Sequence, residues 1–206
     1  MKRETLGELI ANAVSHGIGV VLAATALVVL AIHTSTPLET FGVAVFTISM
    51  MLLYAASTFY HAFPDSMRRV VAVFKRLDHS GVYLLIAGTY TPFVILLSPN
   101  ALGAALLATL WSFAALGITL KAVWIKRFPV AHLALYLLMG WSVLLIWNDV
   151  RPSIEGLAFV FLLSGGLSYT AGVGFYVSRF RYAHFIWHLF VIAGSFLHFA
   201  SLYVLL

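Results

Sequence analysis

Two pairs of side chains at helical spacing carry the chemistry this sequence can offer: Ser57 with His61, and His184 with His188. Residues four apart share one face of a helix, so each pair projects together if its segment is helical. Two imidazoles at that spacing can grip one metal ion. A third from a facing helix completes the three-ligand set that catalytic zinc uses, with water in the fourth position. His61, His184 and His188 fit that description. The sequence contains no cysteine, so a metal here would be held by His, Asp or Glu. The bland alternative is a set of histidines satisfied by neighbouring carbonyls; the third histidine and the nearby Asp78 weigh against it. Asp78, beside His79, can orient a ligand or the water, or act as general base, and it can also serve as the N-cap of its helix. Ser57, one turn deeper than His61, can donate to a substrate carbonyl or polarise water, or spend its hydroxyl on an intrahelical bond.

Positioning these groups falls to membrane-spanning helices. The chain is 62% hydrophobic and 9% charged, where a soluble domain carries about 25% charged residues. Its apolar stretches reach the roughly 20 residues that a helix needs to cross a hydrocarbon core. Runs that are apolar all round, such as 20–32 and 102–108, lack the alternation of a transmembrane β-strand. The expected fold is therefore all-α, with seven transmembrane helices at about 13–33, 41–63, 79–98, 101–123, 129–147, 153–177 and 184–205. The breaks fall at 34–37, Pro64-Asp65-Ser66, Ser98-Pro99-Asn100, Phe128-Pro129, Arg151-Pro152 and 178–181. No linker is long enough to separate a second domain, so residues 1–206 are read as one seven-helix domain. Pro92 is expected to kink the third span rather than end it. Met1-Lys2-Arg3 mimics the start of a signal peptide, but the apolar run after it has spanning length and no small-residue cleavage site.

Eleven of the twelve Lys and Arg residues fall on one side of this arrangement, with Arg151 the exception. Cytoplasmic loops hold such an excess, which places the N-terminus inside and the C-terminus outside. His61, Asp78, His79, His184 and His188 then meet at one level, at the cytoplasmic ends of spans two, three and seven. The basic residues are a topology signal, not a nucleic-acid footprint. His16 and His132 also sit toward cytoplasmic helix ends, and His33 lies at the outer surface. His198 follows His188 by ten residues, roughly 15 Å along the axis, too far to share its ion, and is expected to hydrogen-bond structurally. Trp124, Trp147 and Tyr182 read as interfacial anchors.

Three ordered motifs resemble a known family: Ser57-Thr58-Phe59-Tyr60-His61, Leu77-Asp78-His79-Ser80-Gly81 and His184-Phe185-Ile186-Trp187-His188. With the opening pattern Glu8, Asn12, Ser15-His16 and Gly19, the chain resembles the hemolysin III branch of the progestin and adipoQ receptor family along essentially its whole length. The resemblance implies that His61, His184 and His188 are zinc ligands, with Asp78 and Ser57 the acidic and hydroxyl residues of the site. Related adiponectin receptors and alkaline ceramidases imply hydrolysis of a lipid amide, with zinc-activated water attacking the carbonyl. The family name reflects cytolytic behaviour, and the family is also linked to membrane-lipid and membrane-energy homeostasis. The near absence of an N-terminal extension argues against binding of an extracellular protein hormone.

The leading expectation is an integral protein of the bacterial inner (plasma) membrane, a zinc-dependent hydrolase whose substrate is a membrane lipid amide or ester. Asp78 would take a proton and Ser57 would position the substrate. The alternative is a membrane-homeostasis regulator or sensor, with a structural metal tying spans two, three and seven together. A pore-forming protein is the weakest reading, because the ionisable groups crowd one side of the bilayer instead of crossing it. A proton-linked role stays open through the histidines.

Overall fold

A computed structural model describes residues 5–64, 66–125 and 127–206. Lys2, Arg3 and Lys126, which enter the charge count above, and Asp65 of the second break lie outside the described residues. Among those described, the chain is helical throughout, without strands. Thr5 and Glu8 form a capping box that starts α1 (Leu6–Ala31), and Thr36 and Glu39 repeat it for α2 (Pro37–Ala62), where Pro37 occupies the first turn. α3 (Arg68–Leu97) continues through Pro92, and α4 (Ala101–Trp124) begins where the Asn100 side chain accepts from the N–H groups of Leu102 and Gly103. α5 (Pro129–Gly140) is followed by a 3-10 segment (Ser142–Ile146) and the short α6 (Trp147–Ser153). α7 (Gly156–Val177) and α8 (Ala183–Leu205) complete the chain. Counting 129–153 as one crossing, seven segments are long and apolar enough to span a bilayer. Val130, Leu138 and Leu145 are 78, 71 and 71% exposed, which suits a surface that meets lipid. The chain is a multi-pass integral membrane protein.

Three boundaries differ from the expectation. α1 starts seven residues before the predicted 13, because its capping box lies upstream of the apolar run. α3 starts at Arg68 instead of 79. Its first turns carry Arg69, Lys75 and Arg76, which hydropathy reads as loop but which a helix end accommodates by extending long basic stems toward water. Asp78 is therefore interior to α3; Met67 occupies the N-cap position, and the N-cap reading of Asp78 falls. The expected break at Arg151-Pro152 lies within α6, and the chain turns at Ile154 and Glu155.

α3 is the most buried of the spans. It packs on α2 and α4 and touches α5 and α8; α1 packs on α2 and α8, and α7 on α8. Glycines allow close approach where bulk would separate helices: Gly88 of α3 faces Ser49 of α2, and Gly194 of α8 faces the Tyr169 ring of α7. The interruption after α5 frees backbone groups in an apolar setting, and Tyr90 of α3 meets them. Its hydroxyl donates to Gly140 O at 2.7 Å and accepts from Val143 N at 2.8 Å. α5 and α7 face each other across an opening, bridged where Trp141 Nε1 donates to Thr170 Oγ1 at 3.1 Å.

Candidate metal centre

The last turn of α2 and the first two turns of α8 meet at the end of the bundle that also carries Arg68, Arg179 and Arg181. His61 and His188 are buried there and His184 is half-buried; one donor atom from each lies within 4.8 Å of the others. Ring centroids are 5.2 Å apart for His61 and His184, 5.4 Å for His61 and His188, and 4.6 Å for His184 and His188. Imidazole nitrogens bind zinc at about 2.0–2.1 Å, so donors to one ion lie roughly 3–4 Å apart. The spacing of the triad is compatible with a single shared ion, and three imidazoles without a thiolate form a donor set that zinc accepts.

α1 fixes the orientation of His188. Ser15 Oγ donates to Asn12 O at 3.0 Å, which commits its one proton. The Nδ1 of His188 lies 3.1 Å from Ser15 Oγ and 3.3 Å from Asn12 O. Both neighbours can only accept, so Nδ1 carries the hydrogen and Nε2 presents the lone pair that a metal needs. His16 stacks flat on the His188 ring, with centroids 3.6 Å apart and planes inclined by 10°. The lone pairs of the two rings lie in nearly parallel planes, so His16 buttresses His188 and does not converge with it on one point. Glu8 extends the clamp by accepting from Tyr182 N at 3.0 Å, where Tyr182 turns the chain into α8 with a φ of 63°.

Asp78 is buried, with Oδ2 3.2 Å from His79 Nδ1. It lines a cavity with His16, His184 and His188. Ser57 is fully buried, and its Oγ has no hydrogen-bond partner among the described residues. Thr47, Ser49 and Thr58 on the same helix all donate back to a carbonyl four residues earlier, so Ser57 departs from the common fate of a membrane hydroxyl. Neither Ser57 nor His61 lines the cavity; they stand on its α2 side. The cavity, about 130 Å³, runs among α3, α5, α7 and α8 and adjoins a second of about 130 Å³ deeper in the bundle. The walls are chiefly Leu, Val, Ile and aromatic side chains, the kind of space that takes a hydrocarbon chain.

The sequence model of the family described as "Haemolysin-III related" matches residues 6–199. The chain belongs to this family. It is 41% identical over 192 residues to "Hemolysin-3" of Bacillus cereus, covering 91% of this chain and 87% of that one. It is 40% identical over 195 residues to "Hemolysin-3 homolog" of Bacillus subtilis (strain 168), covering 93% and 91%. Human "Monocyte to macrophage differentiation factor" is 29% identical over 164 residues, covering 77% of this chain and 68% of that protein. These matches place the chain in the hemolysin III branch of the progestin and adipoQ receptor family.

In this haemolysin-III member the fold brings His61, His184 and His188 together and sets Asp78 on the same cavity. His33 is exposed, and His198 donates from Nδ1 to Gly194 O at 2.7 Å, a structural bond of the kind expected. His132 pairs with the Tyr83 hydroxyl at 2.6 Å. Sequence reasoning passed over Asn12, Ser15 and His16 as site residues. The signal available was their four-residue periodicity with Glu8, which puts Glu8, Asn12 and Ser15-His16 on one stripe of α1.

Proposed function

We propose that this chain is a zinc-dependent hydrolase of a membrane lipid amide or ester, with the metal held by His61, His184 and His188. The observation that carries the reading is the juxtaposition of the triad with a buried carboxylate, Asp78, that lines an apolar cavity together with His184 and His188. Zinc in such a three-histidine site supplies a Lewis acid and lowers the pKa of water toward about 7. Asp78 takes the proton from the attacking water on a carboxylate oxygen, while His79 steadies Oδ2 from 3.2 Å. Ser57, whose hydroxyl has no hydrogen-bond partner among the described residues, is assigned to hold the substrate carbonyl oxygen or polarise water from the α2 side. The cavity receives the acyl chain and excludes bulk water from the reacting end. Among the described residues three histidines, and no fourth His, Asp or Glu, gather within reach of one ion, which argues against a purely structural four-ligand metal.

The triad lies at the basic end of the bundle, which supports a cytoplasmic-side site with the N-terminus inside. Relatives in two Bacillus species support the bacterial plasma membrane as its home. Elemental mass spectrometry of the detergent-purified protein tests the metal: about one zinc per chain is expected, with loss in the double variant His184→Ala/His188→Ala. Hydrolysis of mixed N-acyl lipids tests the chemistry. Asp78→Asn is expected to keep its zinc and lose turnover by about a hundred- to ten-thousand-fold. Zinc without turnover in the wild type would return the site to a regulatory or sensing role.

A further inference from the structure

We propose that His198 marks a second binding subsite, midway along the cavity, that takes a hydroxyl group carried on the chain of the bound lipid. The subsite rests on the reading of the cavity as a lipid-chain site and goes beyond it by naming the chain's chemistry. His198 lines both adjoining cavities and stands about 15 Å along α8 from His188. Its ring is firmly seated: Tyr169 stacks on it with centroids 5.4 Å apart, Phe93 meets it edge-on at 5.9 Å, and Gly165 leaves room for its Nδ1 edge. Nδ1 is committed as donor to Gly194 O, so Nε2 is an acceptor. The residue is 7% exposed and lines both cavities, and no hydrogen bond to Nε2 is made among the described residues.

Every other polar group at this level already has partners. The Tyr90 hydroxyl donates to Gly140 O and accepts from Val143 N. Thr89 donates to Leu85 O, and Trp141 Nε1 donates to Thr170 Oγ1, which itself donates to Gly166 O. The Tyr169 hydroxyl is bonded to Ser195 Oγ at 2.8 Å. Nε2 of His198 is thus the polar atom of this group without a single hydrogen bond among the described residues, whereas each of the others makes at least one. An acceptor left unmet in an apolar wall is destabilising, and a phenylalanine would fill the space without that penalty. A water trapped at this point donates to the same nitrogen, and a chain hydroxyl that takes its place keeps that bond. A hydroxyl on an otherwise apolar chain satisfies the acceptor while its hydrocarbon occupies the rest of the cavity.

Competition against a fluorescent fatty acid on the zinc-loaded, purified protein tests this, with stearate and a mid-chain hydroxystearate as the probes. The wild type is expected to bind the hydroxystearate about tenfold more tightly, the worth of one buried hydrogen bond. His198→Phe is expected to bind the two alike. Equal affinities in the wild type would overturn the hydroxyl subsite while the cavity remains a lipid-chain site. If neither probe displaces the reporter, the lipid-chain reading and the subsite fall together. The wild-type comparison decides the matter even should the variant not fold.

Discussion

Ser15 acts on the candidate metal site through another residue. Its hydroxyl, already spent on Asn12 O, can only accept from His188 Nδ1, and that fixes which nitrogen faces the triad. Removing such an outer hydrogen bond typically lowers metal affinity about 10- to 100-fold. Ser15→Ala is expected at the lower end of that range, because Asn12 O still accepts from Nδ1, and Ser15→Thr should restore most of it. Chelator competition for zinc on the purified protein reads the effect. A merely structural role would instead lower the thermal midpoint of the metal-free protein and leave affinity alone. The triad itself was legible in the sequence because a four-residue spacing is a local fact about one helix. Ser15 and His16 were not, because they reach His188 across the contact between the first and last helices, and no local pattern reports that pairing.

At the scale of elements, Tyr90 holds the broken fifth crossing together. Tyr90→Phe keeps the ring but strands Gly140 O and Val143 N, which should cost about 1–3 kcal/mol. A lowered thermal unfolding midpoint in detergent, with zinc content unchanged, is the expected result. The number and order of crossings could be read from hydropathy, since runs of spanning length admit few alternatives. The interruption after Gly140 could not: 129–153 is apolar on both sides of it, and a partner on α3 makes the break tolerable. The start of α3 escaped for the opposite reason. Lys75 and Arg76 end a hydropathy window although they do not end a helix.

For the whole molecule, an ion held by the triad would cross-link α2 and α8, so metal binding would add to the stability of the assembled bundle. At free zinc a thousandfold above its dissociation constant the gain is about 4 kcal/mol. Stripping zinc with a chelator should lower the thermal midpoint, re-addition should restore it, and the double variant His184→Ala/His188→Ala should show neither change. The absence of cysteine makes orientation directly testable. Ser35 and Ser178 are exposed at opposite ends of the bundle. With the N-terminus inside, a membrane-impermeant maleimide should label Ser35→Cys on intact cells and Ser178→Cys only after permeabilisation.

The clamp of α1 on α8 also sets an order of events during synthesis. His61 enters the membrane early, with α2, while His184 and His188 arrive only with α8. Asn12, Ser15 and His16 wait in α1 for His188, a partner that lies 173 residues beyond Ser15. The triad is therefore assembled only once α8 has been made, and a nascent protein that stalls before α8 carries half a cradle with nothing to close it.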